Sequence, residues 1–192
     1  MNRCAWCSPN NPLMKAYHDN EWGIPVFEDH KLFEMLILEG AQAGLSWETI
    51  LKKREAYQLA YDGFDPNTVA NYDDTKQQEL IENKGIVRNK LKIKASIKNA
   101  QIFCEIQKEH GSFSHFLWGF VDHQPILNEF ESIQDVPVST TLSDTISNKL
   151  KQKGMKFVGT TIIYAYLQAV GVVNDHTKEC FKFKAALINN EQ

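Results

Sequence analysis

Four thiol and imidazole side chains near the two ends of the chain form a candidate metal site. Cys4 and His18 lie near the start of the sequence, and His176 and Cys180 lie near its end. His176 and Cys180 are four residues apart, so on a helix they would face the same way. Two thiolates and two imidazoles suit a closed, tetrahedral structural zinc site. Such a site would hold the N-terminal segment against the C-terminal segment.

Other interpretations of these side chains remain open from spacing alone. Cys7 forms a C-x-x-C pair with Cys4 and could replace one of the four ligands. A redox role for this pair is disfavoured, because no predicted strand precedes it as in a thioredoxin-like protein. The four side chains could also be two unrelated cysteines and two surface histidines. A zinc hydrolase would need an open coordination position, which a set of two Cys and two His does not offer.

A single acidic residue interrupts an apolar helix in the first third of the chain. Glu39 lies within LEGAQAGLSW, residues 38–47, on a predicted helix whose other face is already apolar. A buried charge is costly without a partner, so Glu39 is either solvated or a buried acceptor for a polar ligand. An aromatic box around one carboxylate suits a flat cationic ligand. Aromatic residues that could form such a box are Trp6, Tyr17, Trp22 and Trp47. A core rich in Trp and Tyr is the alternative.

The end of the same helix carries a second candidate. Leu45 follows Gly44, which is expected to end the helix and to leave Leu45 at an exposed tip. An apolar wedge beside a base pocket is what a nucleotide-flipping enzyme requires. An ordinary buried leucine is the alternative.

A tight hairpin between two predicted helices is a candidate phosphate anchor. Two glycines, Gly154 and Gly159, bracket it, and Thr160 and Thr161 follow. Gly159 would let the backbone approach a ligand closely, and the first turn of the next helix offers free N–H groups to a phosphate. Lys156 lies beside this turn. Many helical hairpins have this pattern without binding anything, so an ordinary hairpin remains the alternative.

The elements that must position these residues are predicted to be helices, with no strands. Apolar spacing and capping residues predict helices over 31–44, 47–61, 75–83, 89–110, 113–121, 143–153 and 160–171, and a helix start at Asp65-Pro66. Ser143 is the expected N-cap of its helix. Residues 123–140 contain two prolines and no clear period, which predicts a long ordered connection.

Length and composition favour one domain over residues 1–192, which could comprise two lobes sharing a core. The N-terminus has no apolar run typical of a signal peptide, so a cytoplasmic protein with no membrane span is expected. The net charge of −3 disfavours a nonspecific nucleic-acid binder. Basic residues nevertheless cluster in 84–98 and 149–156, segments without acidic residues. These lysines could equally be the solvated faces of helices.

Six motifs together resemble one known family over nearly the whole chain. They are RCAW (3–6), AYHDNEWG (16–23), LFEMLILEGAQAGLSW (32–47), LKKRE (51–55), KFVGTT (156–161) and VNDH (173–176). The chain is similar in these segments to the 3-methyladenine DNA glycosylase I family. The resemblance implies an all-α fold of the helix-hairpin-helix DNA glycosylase superfamily, with the hairpin motif at about 143–171. It also implies a monofunctional enzyme that flips 3-methyladenine out of alkylated double-stranded DNA and hydrolyses its N-glycosidic bond.

The resemblance also assigns roles to individual residues. It implies one structural zinc ion per chain, with Cys4, His18, His176 and Cys180 as ligands and Cys7 outside the set. It places Glu39 as the catalytic carboxylate and base contact. It implies base binding by Tyr17, Trp47, Trp6 and Trp22, and DNA binding by Leu45, Gly154, Lys156, Gly159, Thr160 and Thr161. We expect a monomer that releases free 3-methyladenine. The competing hypothesis is a non-enzymatic, zinc-stabilised helical module that binds nucleic acid, which would leave Glu39 unexplained.

Overall fold

The computed structural model describes residues 1–183, which form a largely helical chain. In this part of the chain the α-helices are α1 (Pro12–Asn20), α2 (Asp29–Gln42), α3 (Trp47–Ala60), α4 (Pro66–Ala70), α5 (Asp74–Glu82), α6 (Lys90–His110), α7 (Phe113–Trp118), α8 (Thr141–Gln152) and α9 (Thr160–Ala169). Short 3₁₀ turns span Asp62–Phe64, Gly119–Val121 and Ile133–Asp135. None of the helices within residues 1–183 has the length and apolar character needed to cross a membrane.

Helix α2 lies at the centre of the molecule. It packs against α3, α6, α7 and α9, so nearly its whole circumference is covered. This explains why its sequence is apolar on more than one face. Its buried residues are Leu32, Phe33, Met35, Leu36, Ile37, Leu38, Glu39, Gly40 and Ala41. Any polar group in this run is therefore surrounded by protein or by a cavity.

Helix α6 confirms the prediction for residues 89–110. Asn89 caps it, because its side chain accepts hydrogen bonds from the backbone N–H groups of Leu91 and Lys92. Gly111, with φ of 83°, ends it. Leu91, in its first turn, is 70% exposed although it is apolar.

The predicted start of α8 at Ser143 is wrong. The N-cap is Thr140, whose side chain accepts from the backbone N–H of Ser143, while the Ser143 hydroxyl accepts from the backbone N–H of Thr140. Ser143 is thus the third helical residue of a capping box, a position that serine can fill with the same donor and acceptor chemistry. The expected stop at Gly154 is confirmed, since this residue has φ of 101°, which favours glycine.

The expectation of no strands is also wrong, although only for a minimal pair. Ile126–Leu127 (β1) and Val173–Asn174 (β2) form a parallel ladder with Ile126 opposite Val173. Two residues per strand are too few to show an alternating pattern in the sequence. The pair attaches the predicted connection, residues 123–140, to the segment that carries the C-terminal metal candidates.

Helix α1 was not predicted. It buries only Tyr17 and His18, so it has too few apolar residues to show a helical period. Its start was nevertheless visible, because Asn11 is an N-cap and Pro12 occupies the first helical position. The same combination at Asp65-Pro66 correctly predicted the start of α4.

Candidate functional site

A cavity of ≈ 390 Å³ opens between α1, α2, α9 and the segment that contains residues 133–138. Its volume is in the range of small-molecule sites, about 300–1,000 Å³. We call it the aromatic cavity. It is lined by Trp6, Met14, Tyr17, Trp22, Glu39, Gln42, Trp47, Ile133, Val136, Pro137, Val138, Thr161, Tyr164, Ala165 and Gln168. Glu39 and the four aromatic residues singled out from the sequence therefore lie in one place.

The aromatic side chains form one continuous wall. The ring centroids of Tyr17 and Trp47 are 5.2 Å apart with the planes tilted by 50°. Trp6 meets Trp22 edge to face at 5.0 Å and lies 6.3 Å from Tyr17. Among the described residues, neither Trp6 Nε1 nor Trp47 Nε1 has a hydrogen-bond partner, although both atoms are buried. Buried N–H groups without partners are costly, and a ligand with acceptor atoms would satisfy them.

Glu39 is buried in the wall of this cavity. Its side chain is on α2, the residue is 4% exposed, and no described residue forms a hydrogen bond with its carboxyl group. Burial raises the pKa of Glu39 to about 8, because a charged carboxylate is poorly solvated in these surroundings. With nothing bound, the side chain is therefore mostly a neutral acid at pH 7, whereas the sequence analysis expected a carboxylate.

Helix α9 supplies a wall of the cavity that the sequence analysis did not predict. Tyr164 and Gln168 line it, and both donate hydrogen bonds to the buried Asp175, Gln168 at 2.7 Å. Asn128 donates to the other oxygen of Asp175 at 2.7 Å. Thr161, Tyr164 and Gln168 follow helical spacing, and this polar stripe on an otherwise apolar helix was the available signal.

A second hollow adjoins the aromatic cavity at the end of α2. It measures ≈ 370 Å³ and shares Glu39, Gln42 and Thr161 with the cavity. Leu45 lies on its rim and is 41% exposed. Gly44 turns the chain towards Leu45 with φ of 78°. The tip position expected for Leu45 from the sequence is the one that the structure shows.

The ammonium group of Lys92 holds this turn in place. It donates to the carbonyl oxygens of Ala41 at 2.8 Å and Ala43 at 2.6 Å. These carbonyls belong to the end of α2, where the helix leaves its last acceptors without partners. A cation from α6 therefore caps α2 immediately before Leu45.

The hairpin between α8 and α9 is pinned from α6. The Asn99 side chain accepts from the backbone N–H of Lys156 at 2.9 Å and donates to the Lys156 carbonyl at 2.8 Å. Gly159 is the N-cap of α9, and a Cβ at this position would contact nothing within 4 Å. The backbone N–H groups that follow, at Thr160 and Thr161, are in the first turn of α9.

The four candidate metal ligands converge at one buried point. One ligand atom from each of Cys4, His18, His176 and Cys180 lies within 4.8 Å of all the others. Sulfur and nitrogen atoms are separated by 3.4 Å for Cys4 and His176 and by 3.5 Å for Cys180 and His18. Tetrahedral zinc with bonds of about 2.3 Å to sulfur and 2.0–2.1 Å to nitrogen requires a separation of roughly 3.5 Å. The donor set therefore fits zinc.

Comparison with known proteins shows the family. The model of the methyladenine glycosylase family matches residues 6–183. The chain belongs to this family.

Relatives of this glycosylase are similar over almost their full length. DNA-3-methyladenine glycosylase 1 of Escherichia coli (strain K12) is 47% identical over 180 residues, which are 94% of this chain and 96% of the relative. A crystal structure of 3-methyladenine DNA glycosylase I superposes with a TM-score of 0.91 at 48% identity, covering 94% of this chain and 98% of that one. A Tyr-to-Phe variant of 3-methyladenine DNA glycosylase I, solved in complex with 3-methyladenine, matches with a TM-score of 0.91 at 36% identity, over 94% and 97%.

The candidate ligands of this glycosylase are oriented by their neighbours. His18 Nδ1 donates to the Asp19 carboxylate at 2.8 Å, and Arg3 in turn holds Asp19. His176 Nε2 donates to the Trp22 carbonyl at 3.1 Å. Each imidazole therefore points its other nitrogen towards the thiols, as metal-bound histidines do. The Arg3 guanidinium also lowers the pKa of Asp19 to about 2, so Asp19 is ionised and can accept from His18.

His176 and Cys180 are not on a helix. Both residues lie in irregular structure after β2, and the N–H of Cys180 donates to the Thr177 carbonyl at 2.7 Å. This turn brings the two side chains together as a helical turn would. Cys7 is buried but outside the cluster. The N-terminal segment meets the C-terminal part of the described chain as expected, since Phe181 N–H donates to the Asn2 carbonyl at 3.0 Å.

The ligand cluster and the aromatic cavity share a wall. Trp22 meets His176 edge to face with ring centroids 4.6 Å apart, and Trp6 lies 5.2 Å from His18. Gly23 allows this approach, because it has φ of 74° and a Cβ there would lie 3.1 Å from His176 Nε2. The two tryptophans of the cavity therefore rest directly on the two imidazoles.

Proposed function

We propose that this glycosylase excises 3-methyladenine from alkylated double-stranded DNA. The enzyme flips the damaged nucleotide into the aromatic cavity and hydrolyses its N-glycosidic bond, with water as the final nucleophile. The observation that carries this proposal is one buried acid, Glu39, in the wall of an aromatic cavity that is large enough for a base. The names of the relatives support the choice of base.

The aromatic side chains bind the flipped base by its faces. Tyr17 and Trp47, 5.2 Å apart, are the stacking residues, and Trp6 and Trp22 close the cavity behind them. Stacking on aromatic rings is worth about 1–3 kcal/mol per base. It is also favoured by positive charge on the ligand, which methylation at N3 gives to the adenine.

Glu39 recognises that charge. No residue of the described chain donates a hydrogen bond to its carboxyl group or forms an ion pair with it, and burial raises its pKa to about 8. A cationic base stabilises the carboxylate, and Glu39 then ionises and accepts a hydrogen bond from the base. Neutral adenine carries no positive charge that would stabilise the Glu39 carboxylate, so neutral adenine binds less well than 3-methyladenine. Because a cationic base is also a good leaving group, selective binding provides much of the required catalysis.

DNA is held by two further elements on either side of the cavity. Leu45, exposed at its tip, enters the space that the flipped nucleotide leaves. The hairpin binds backbone phosphates, as in the helix-hairpin-helix superfamily. Its contacts are the backbone at Gly154 and Gly159, the first turn of α9 at Thr160 and Thr161, and the side chain of Lys156.

A single structural zinc ion is held by Cys4, His18, His176 and Cys180. The distances and the oriented imidazoles support this set. When bound, zinc supplies folding free energy and leaves no open position for chemistry. The enzyme acts as a monomer and is monofunctional, so it forms no Schiff base with a lysine and does not cut the DNA strand.

The decisive experiment is the release of free base from methylated duplex DNA, resolved by chromatography. We expect release of 3-methyladenine and not of 7-methylguanine. Glu39→Gln should lower the rate about 100-fold, because an amide cannot ionise to compensate the charge of the base and a hydrogen bond to a charged group is worth about 1.5–3 kcal/mol. The circular dichroism spectrum should stay unchanged. Glu55→Gln, at an exposed acid on α3 that forms no ion pair within residues 1–183, is the matched control and should retain the rate.

Full activity of Glu39→Gln would remove the proposed role of Glu39. No base release by the folded, metal-loaded wild-type protein would leave a zinc-stabilised nucleic-acid-binding module as the better description. Quenching of tryptophan fluorescence by free 3-methyladenine separates these hypotheses further, because only the glycosylase hypothesis requires that the aromatic cavity bind the free base.

A further inference from the structure

A third hollow shares no lining residue with the aromatic cavity. It measures ≈ 440 Å³ and lies between α6 and the hairpin. We call it the α6–hairpin hollow. It is lined by Leu91, Lys94, Ala95, Lys98, Lys156 and Phe157. Three lysines thus surround an apolar floor, to which the strongly exposed Leu91 contributes.

The positive charge of this hollow is not balanced nearby. Lys94, Lys98 and Lys156 form no ion pair with a carboxylate of residues 1–183. The sequence contains no acidic residue in 83–104 or in 145–174. The first turn of α6 also has no acidic residue, although the helix N-terminus carries partial positive charge. Although the chain has a net charge of −3, the positive charge concentrated at this hollow suits the binding of an anion.

The hollow is also rigidly connected to the hairpin. Asn99 of α6 forms two hydrogen bonds with the backbone of Lys156. Phe157 packs close to α2, because a Cβ at Gly40 would lie 3.5 Å from Phe157 Cβ. A ligand that binds the hairpin through Lys156 therefore meets Lys98 and Lys94 in fixed positions.

We propose that the α6–hairpin hollow binds the phosphodiester backbone of the DNA duplex and extends the phosphate anchor of the hairpin along α6. This inference rests on the proposed function. Lys94 and Lys98 are four residues apart, or about 6 Å along the helix, which is close to the axial rise of two nucleotides in one strand at about 3.4 Å each. Lysines bind phosphates, and the apolar floor at Leu91 and Phe157 faces the deoxyribose between them.

The test is the salt dependence of DNA binding by the metal-loaded, full-length protein. The dissociation constant for an unmodified duplex is measured by fluorescence anisotropy over a series of NaCl concentrations. Each phosphate contact contributes about 0.9 to the slope of log K against log salt. The double variant Lys94→Gln/Lys98→Gln should therefore lose about 1.8 from this slope. Its fluorescence quenching by free 3-methyladenine should stay at the wild-type level, because the aromatic cavity is untouched.

Lys108→Gln is the matched control, since Lys108 lies on the same helix, ten residues beyond Lys98, and is not part of the hollow. Its slope should equal that of the wild type. A double variant with the wild-type slope, or a control with the same loss as the double variant, would overturn the proposal.

Base release by the wild-type protein is measured in parallel, so that the two failures can be told apart. If the wild-type protein releases base normally and the double variant has an unchanged slope, only the proposal about the α6–hairpin hollow is overturned. No base release, together with the expected loss of slope, overturns the proposed enzyme and supports the hollow as a DNA site.

Discussion

At the scale of single residues, the burial of Glu39 lowers the stability of the fold near neutral pH but provides the acid that recognises the ligand. Its pKa of about 8 in the folded chain exceeds that of an exposed glutamate, about 4.3. The folded state therefore binds a proton more tightly than the unfolded state. The free energy of unfolding is highest, with respect to this group, below about pH 4.3 and falls as the pH rises towards 8. A buried acid that destabilises the fold in this way is explained by its proposed role in binding the cationic base.

Replacing Glu39 should make this conflict measurable. Glu39→Gln cannot ionise, so its free energy of unfolding should exceed that of the wild type by an amount that grows between pH 5 and pH 8 and reaches on the order of a few kcal/mol. Urea denaturation at several pH values measures it, with Glu55→Gln, at an exposed acid on α3, as the control. A stability difference that stays constant over this range would show that Glu39 is solvated in the folded protein.

At the scale of elements, the end of α2 depends on a helix that is distant in the sequence. Lys92 of α6 donates to two carbonyl oxygens there, and burial lowers its pKa. Hydrogen bonds that involve a charged group are worth about 1.5–3 kcal/mol, and the partial exposure of Lys92 reduces the contribution of its two bonds. The same contacts fix the turn that presents Leu45, so one ammonium group joins the stability of α2 to the placement of the proposed wedge.

Replacing Lys92 should therefore affect both properties. Lys92→Met is expected to lose about 1–3 kcal/mol in the free energy of unfolding and to slow base release from duplex DNA. Lys94→Met, on the same helix but without carbonyl contacts, should keep wild-type stability. In a double-mutant cycle on base release, Lys92→Met and Leu45→Ala should be less than additive, because they act through one turn. Equal stability of the two lysine variants, or full additivity, would contradict this arrangement.

Long helices with a clear apolar period could be predicted from the sequence, and short or irregular segments could not. Helices α2, α3, α5 and α6 begin and end within two residues of their predicted limits. Helix α1 and the β1–β2 pair were missed, because the first has few apolar residues and the second is two residues long per strand. The spacing of His176 and Cys180 indicated that their side chains could meet but not by which conformation, because a separation of four residues does not distinguish a helical turn from other turns.

The candidate site could be predicted from the sequence only where residue type alone was informative. Glu39 and the aromatic residues around it stand out by residue type alone. The segment that contains residues 133–138 has no period, so nothing local showed that it folds over the cavity. Tyr164 and Gln168 owe their positions to Asp175, a contact that only the tertiary structure brings about.

At the scale of the whole molecule, the four candidate metal ligands join the ends of the described chain and support the aromatic cavity. Cys4 and Cys180 share the site, and Trp6 and Trp22 rest on its imidazoles. Removing the metal would leave two buried thiols and two buried imidazoles, which are groups that need partners. Stability and base binding should therefore change together.

Chelation tests this coupling without a mutation. Zinc-depleted protein should unfold at a temperature lower by on the order of 10 °C, because several kcal/mol of metal-binding free energy is lost. Its affinity for free 3-methyladenine, followed by tryptophan fluorescence, should also fall at a temperature where the chain is still folded. Restoring zinc should reverse both changes. Unchanged base affinity in the depleted protein would show that the cavity stands without the metal.

The distance along the chain between the ligands also has a consequence during translation. Cys4 is translated 172 residues before His176, and Asp175 and Cys180 are translated beside that later ligand. Until they are added, the growing chain lacks both the complete ligand cluster and the support for Tyr164 and Gln168. A copy truncated before Asp175 should therefore lack a complete base cavity and release no base, even if it still contains Glu39 and the hairpin.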